Sequence, residues 1–307
     1  MAEYDVLTPA DLNVDLILTG ADPVFGQQEK RINRYFLELG GSCSIFACQA
    51  AKLGLRAAVV GVVGDDLFGD LVVKRLRESG VATGEVEKRA GLRTAASFTL
   101  CREEDRAILT DTQSLTVMPP ERLSPALLAK TLHLHIGSFF LLSNLRPYFK
   151  KIVQTAKSMG ITVSLDTNWD PDNTWDGVKE ILPFCDIFFP NENEILAVTG
   201  AGNLEDAVRQ TAGIVPLVVV KLGARGALAG TGERQWQVSS FAVNFVDSVG
   251  AGDSFDAGFL RGYLHGWPVE DALRFGCYCG AMNTTAPGGL KGQPTWEELL
   301  KNYKAGS

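Results

Sequence analysis

The densest chemistry in the chain lies in Asp247-Ser-Val-Gly-Ala-Gly-Asp-Ser-Phe255. Gly250, Ala251 and Gly252 are small enough for their backbone N–H groups to approach an anion closely. The pattern FDAGFLRGYLHG predicts a helix starting there, with its positive dipole end facing the same point. Asp253 would stand at that helix N-terminus. Taken alone it would be a cap, a common place for Asp; beside a phosphate-sized glycine nest it points to chemistry on a phosphate. Asn191-Glu-Asn-Glu194 follows another strand-like run. It is either a helix cap with an acidic first turn or a pair of hard oxygen donors able to orient a hydrated Mg²⁺. In Lys221-Leu-Gly-Ala-Arg-Gly226, Gly223 and Gly226 allow a close bend around a ligand, and Lys221 is either a phosphate contact or a solvated strand end. No G-x-x-x-x-G-K-[ST] occurs, and no G-x-G-x-x-G follows the first strand, which argues against P-loop and nicotinamide-binding folds.

These motifs need a scaffold, and the hydrophobic pattern supplies one. Strand-like runs at Tyr4–Thr8, Ala57–Val63, Leu132–Phe139, Thr162–Leu165, Ile187–Phe189 and Leu217–Leu222 have helical stretches between them, among them Ile45–Lys52, Leu67–Ser79, Arg146–Ser158 and Leu204–Ala212. A strand-like VNFV precedes the nest. Alternation of this kind predicts βαβ units and a mostly parallel sheet covered by helices, with ligands beyond the carboxyl ends of the strands. Two segments break the pattern. Residues 15–40 contain no good long helix, and residues 93–111 read as two strands around the acidic turn Glu103–Asp105. Both are expected to leave the main sheet and pair into a small β platform. No linker splits the chain, so residues 1–307 are expected to form a single domain with these two lid segments.

Composition excludes several classes. The 307 residues are 46% hydrophobic and 21% charged, a globular balance. The formal charge of −7 disfavours nucleic-acid and anionic-membrane partners. No apolar run is long enough to span a bilayer, and the N-terminus lacks a signal-peptide pattern, so a cytoplasmic location is expected. The six cysteines include no C-x₂-C pair; Cys277 and Cys279 read as small packing residues in a buried helix. His133 and His135 share one strand face, but two ligands without a third make no metal site, which leaves a structural or ligand-edge role.

The run DSVGAGDSF resembles the second signature of the ribokinase-like (PfkB) carbohydrate kinase family, D-[TS]-x-G-A-G-D-x-F. Leu39-Gly40-Gly41, with ACQAAKLG and VVGVVGDDLFG after it, resembles the first signature. Asn191–Glu194 matches the family's N-x-x-E, and Lys221–Gly226 its nucleotide-loop strand. The resemblance runs from about residue 4 to residue 300. It implies a three-layer α/β fold with a mostly parallel central sheet and a small β-sheet lid, and ATP-dependent phosphorylation of a hydroxymethyl group. It also implies Asp253 as base, the Gly250, Ala251 and Gly252 backbone as anion hole, and sugar contacts at Asn13, Asp15, Gly40 and Gly41. Asp166 and Asn168 resemble the D-x-N-x-R-P stretch of fructokinase and ketodeoxygluconate-kinase relatives. Asn191, Lys221, Gly223 and Gly226 would bind the nucleotide, and Glu194 would hold Mg²⁺ through water.

Departures from the pattern bear on the substrate. Ile45 stands where the family usually has a substrate-contacting Asn, and Gly276-Cys277 where many relatives carry an Asn near the adenine. Asp170 replaces the Arg that meets an acidic sugar's carboxylate. A carboxylate there would repel an acid substrate, which favours a neutral sugar or sugar-like polyol. A nucleoside is the main rival substrate. A non-catalytic sugar- or nucleotide-binding regulator on the same scaffold is the rival class, to which Ile45 is friendly and the retained Asp253 is not. The resemblance further implies a K⁺ site around Asp247, Val249 and the Pro287–Thr295 loop, where Lys291 could instead serve as a built-in cation. It also implies homodimerisation through the lid, on an apolar face carrying either Phe36 or the Tyr35/Leu37/Leu39 stripe.

Overall fold

The computed structural model describes residues 2–23, 26, 29–102 and 105–302. The chain opens with strands β1 (Tyr4–Pro9), β2 (Asn13–Thr19) and β3 (Arg34–Gly40), then helix α1 (Ser42–Lys52), β4 (Ala57–Gly64), α2 (Leu67–Glu78), β5 (Ala82–Arg89), β6 (Ala95–Arg102) and β7 (Asp105–Asp111). Its middle third holds α3 (Pro125–Leu128), β8 (Thr131–Ile136), α4 (Arg146–Ser158), β9 (Thr162–Leu165), α5 (Val178–Ile181), β10 (Ile187–Phe188) and α6 (Glu192–Thr199). There follow α7 (Leu204–Ala212), β11 (Leu217–Lys221), β12 (Ala227–Gly230), β13 (Gln235–Val238), α8 (Ala251–Leu264), α9 (Val269–Asn283) and α10 (Trp296–Asn302).

Nine strands form one sheet in the order β13-β12-β11-β10-β9-β8-β1-β4-β5, parallel from β5 to β11 and antiparallel at the β12–β13 edge. Successive side chains on a strand point to opposite faces, so an unbroken apolar run supplies two cores at once. In β4, Ala58, Val60 and Val62 join the core beneath α4 and α5, while Ala57, Val59 and Val63 join the core that contains side chains of α1, α2, α8 and α9. This is the three-layer α/β arrangement. Helices α8 and α9 pack closely because Gly258 and Gly262 leave room: a Cβ on Gly258 would lie 2.8 Å from the Cys279 sulfur. Cys277 and Cys279 are buried packing residues of α9.

Segments 15–40 and 93–111 supply most of a second, four-stranded sheet in the order β3-β2-β6-β7. The β2–β6 pair is parallel and its neighbours are antiparallel. The acidic turn read at Glu103–Asp105 lies partly outside the described residues. One face carries Asn13, Asp15, Ser97, Thr99 and Thr110, which line the cavity described below. The other carries Leu16, Tyr35, Leu37, Phe98 and Leu109, with Tyr35 and Leu109 more than half exposed.

Two strand expectations change. The run before the nest is not a strand: residues 239–248 are extended loop, with Phe245 69% exposed and therefore without the cross-strand burial that would hold it in a sheet. Strand β8 ends at Ile136, short of Phe139, because Gly137 begins a turn in which Ser138 takes a positive φ of 51°.

Candidate active site

A cavity of about 610 Å³ opens between the carboxyl ends of the main-sheet strands and the inner face of the small sheet. Parallel strands leave loops and helix N-termini at that end, which is why the motifs from distant parts of the chain converge there. From the motifs read in the sequence, Asn13, Asp15, Gly41, Asp166, Asn168, Asn191, Glu194, Lys221, Gly223, Gly250, Gly252 and Asp253 all line it. Gly40, Gly226 and Ala251 do not. Gly40 lies against Asp15, where a Cβ would meet the carboxylate at 2.1 Å. Gly226 turns the chain into β12 at φ +97°, with the Val238 carbonyl 1.9 Å from where its Cβ would be. There it packs the β11–β12 turn against the end of β13.

At one end of the cavity, Gly250 caps α8 in the left-handed region at φ +74°, a conformation that glycine adopts without steric cost. Ala251, Gly252 and Asp253 form the first turn, so Asp253 is inside the helix and makes no capping bond of its own. Its carboxylate accepts a hydrogen bond from the Ser42 hydroxyl. Burial and the nearby Asp166 carboxylate push its pKa up to about 7, against the opposing pull of Ser42 and Lys221. Ile45, where the family pattern expects a polar contact, is wedged beneath this nest. Its Cγ2 lies 2.8 Å from a Cβ built on Gly250, and its Cδ1 lies 2.4 Å from one built on Gly289. Both positions therefore require glycine.

Lys221 runs under the nest, its Nζ 3.5 Å from a Cβ built on Gly252. It donates to Asp166 Oδ2 at 2.6 Å and lies 3.5 Å from Asp256 Oδ2. Burial works against its charge, but its acidic neighbours, the Asp166 carboxylate first among them, outweigh that and hold it protonated. Asn191 and Glu194 form a complete capping box on α6. The Asn191 Oδ1 accepts from Glu194 N at 2.9 Å, and Glu194 Oε2 accepts from Asn191 N at 2.7 Å. The capping and ligand readings of N-x-x-E are thus not exclusive, since the capped carboxylate still faces the cavity. Burial and Asp166 raise Glu194 to about 7.

At the other end, side chains from separate segments meet. Asn13 donates to Ser97 Oγ at 3.0 Å and to Asp15 Oδ1 at 3.1 Å. Burial and the Asp11 charge raise Asp15 to about 6. Asn168, at φ +53°, donates its backbone N–H to Asp166 Oδ1 at 3.0 Å. Asp170 does not face the cavity: its carboxylate accepts the backbone N–H groups of Asp172, Thr174 and Trp175 at 2.7–3.0 Å. The repulsion of acid substrates expected from it therefore has no basis in that residue. Lys291 does not fill a cation site behind the nest either; it donates to Glu38 Oε1 at 2.5 Å on the small sheet. His133 and His135 are structural, both hydrogen-bonded to Ser164 Oγ at 2.7–2.8 Å and held neutral mainly by burial.

Sequence reasoning missed four residues here. Asp11 accepts the Ser42 and Cys43 N–H groups at 2.9 Å and anchors the start of α1. Ser42 touches Asp253, Ser138 bonds Asp11, and Asp256 sits behind Lys221. The only signals were positional: Asp11 two residues before Asn13, Ser42 next to the glycine pair, Asp256 one turn beyond Gly252.

A family model described as pfkB family carbohydrate kinase matches residues 6–296. The chain belongs to that family. A probable fructokinase-5 from Arabidopsis thaliana is 30% identical over 87% of this chain and 89% of its own length. A putative ribokinase II from E. coli, in a crystal structure in complex with ATP and Mg²⁺, superposes with a TM-score of 0.87 at 25% identity, covering 98% of this chain and 99% of that one. A fructokinase double mutant from Vibrio cholerae O395, in a fructose-, ADP- and potassium-bound form, has a TM-score of 0.81 at 25% identity over 98% and 99%. The chain is an ATP-dependent sugar kinase of the PfkB type. Among the described residues, no helix is long and apolar enough to cross a membrane.

Proposed function

We propose that the chain transfers the γ-phosphoryl group of ATP to a hydroxymethyl group of a neutral sugar or sugar-like polyol. The observation that carries this is the position of Asp253, raised to about 7 and hydrogen-bonded by Ser42, at the boundary between the glycine nest and the hydroxyl-rich half of the cavity. A carboxylate near 7 takes a proton late in a loose phosphoryl transfer, when the substrate hydroxyl becomes acidic. Gly250 and Gly252 line the place where negative charge gathers, with the Lys221 ammonium beneath them, while the Ala251 N–H donates to the Ser248 carbonyl at 3.3 Å. Neutrality of the substrate is supported by the lining itself. Asp11, Asp15 and Asp253 border the sugar half, and the cavity's one lining cation among the described residues, Lys221, is committed to Asp166 and Asp256.

Glu194 lines the cavity with both carboxylate oxygens held by Asn191, Oε2 by its backbone N–H at 2.7 Å and Oε1 by its side-chain amide at 2.6 Å, and a carboxylate oriented in this way suits a hydrated divalent ion. Bound Mg²⁺ would neutralise phosphate charge. Behind the nest, Asp247 accepts Val249 N and Gly288 N at 3.0 and 2.8 Å, and the buried Asn283 Oδ1 beside Val249 has no partner. A buried oxygen without a partner near Val249 suits a weakly held K⁺, with Asp247 as the carboxylate that would serve it. Equal rates in potassium and tris chloride at matched ionic strength would remove it. The small sheet is read as a lid, and its face with the exposed Tyr35, Phe98 and Leu109 supports pairing with a second copy; a monomeric mass at micromolar concentration would remove that pairing.

The deciding experiment is an ATP-consumption screen of purified protein across neutral pentoses, hexoses, polyols, sugar acids and nucleosides. A neutral sugar or polyol is expected to give the highest kcat/KM. Preference for a sugar acid or a nucleoside would overturn the substrate assignment.

A further inference from the structure

Asp256 belongs to none of the motifs that line the cavity, yet it is fully buried beside the most charged part of the site. It lies four residues beyond Gly252 on α8, so the two share one helix face a turn apart. Lys221 runs along that face. Its ammonium has Asp166 Oδ2 at 2.6 Å on one side and Asp256 Oδ2 at 3.5 Å on the other, with Gly252 beyond. Asp256 Oδ1 has no partner of its own.

We propose that Asp256 is a positioning residue that holds the Lys221 ammonium beneath Gly252, aimed at the transferring phosphoryl group. With Asp166 alone, Lys221 would settle wholly toward β9 and leave the nest. With Asp256 behind it, the ammonium is held between two oxygens along the α8 face. Two ionised carboxylates flanking one buried ammonium would leave a net negative charge under an anion hole, which would repel a triphosphate. Asp256 avoids this by remaining protonated and hydrogen-bonded to Asp166, in keeping with burial that holds it well above the usual carboxylate range. The cluster then carries Asp166 as its one anion and Lys221 as its one cation. Asp256 thus acts through Lys221 and does not itself touch substrate. This rests on the Gly250–Gly252 nest being the anion hole.

The test is a double-mutant cycle on full-length protein, with kcat, Mg-ATP affinity by titration calorimetry and thermal stability measured for each variant. Lys221→Met is expected to lower kcat about 100-fold, the scale of losing one oxyanion donor. Asp256→Ala is expected to lower it about tenfold, and the double variant to match Lys221→Met within about twofold, because the two act as a unit. Asp256→Asn, which keeps a neutral hydrogen-bonding group, should recover most of the turnover lost in Asp256→Ala. If Asp256→Ala does not fold, Asp256→Leu, matched to Asn in size, takes its place against Asp256→Asn. Losses that multiply in the double variant, full turnover in Asp256→Ala or Asp256→Leu, or no recovery in Asp256→Asn would overturn the proposal. Asp253→Asn separates the two levels: if it is inactive while Asp256→Ala is unaffected, only the role of Asp256 fails.

Discussion

The two halves of the cavity are built differently. The phosphoryl half is made largely of backbone: a left-handed Gly250, the first turn of α8 and one lysine beneath it. The sugar half is made of side chains drawn from β2, β6, β7 and the loops after β8 and β9. A nest of peptide groups recognises any phosphate and tolerates little change in chain path. A ring of hydroxyls, amides and carboxylates on a separate small sheet can be exchanged residue by residue. Transfer chemistry therefore centres on one short contiguous run with Lys221 beneath it, and substrate choice on scattered positions.

This contrast makes the two halves fail in different ways. The largest effect is expected from Gly250→Ala. The added methyl would meet Ile45 Cγ2 at 2.8 Å and the Gly289 Cα at 2.9 Å in a left-handed backbone, distorting the nest. A kcat loss of at least about 100-fold is expected, with sugar KM little changed. A loss seen mainly in sugar KM would break the division of labour. In the other half, Asp15→Asn should raise sugar KM about tenfold and leave kcat within about threefold, the pattern of lost ground-state binding. A smaller change is expected from Glu194→Gln, which keeps the cap but removes the charge: the Mg²⁺ concentration for half-maximal rate should rise about threefold. An unchanged Mg²⁺ dependence would return Asn191–Glu194 to helix capping alone.

The same contrast explains what could be read from the sequence. The nest was legible because Gly250, Gly252 and Asp253 are neighbours in the chain as well as in space. The parallel sheet was legible because apolar runs such as Ala57–Val63 must feed cores on both faces. Asp11, Ser42, Ser138 and Asp256 were not, since each matters only through a partner in another segment: Ser42 through Asp253, Asp256 through Lys221. Asp170 misled for the same reason. Its type suggested a charge facing the substrate, but three backbone N–H groups of its own loop had claimed the carboxylate. The apolar VNFV run misled because local β-propensity carries no information about whether a neighbouring strand exists to pair with it.

The central claim is that Asp253 takes the substrate proton next to the nest. The most direct test is the pH dependence of kcat/KM for the best neutral substrate, in wild type and in Asp253→Asn, with Mg-ATP affinity measured alongside. The base must be ionised to act, so wild-type kcat/KM should climb with pH up to about 7, where Asp253 titrates, and level off above it. Asp253→Asn should bind Mg-ATP within about threefold of wild type, lose that ascending limb and turn over at least about 100 times more slowly. Near-normal turnover in Asp253→Asn, or a rising limb that survives the substitution, would contradict the assignment of Asp253 as the base.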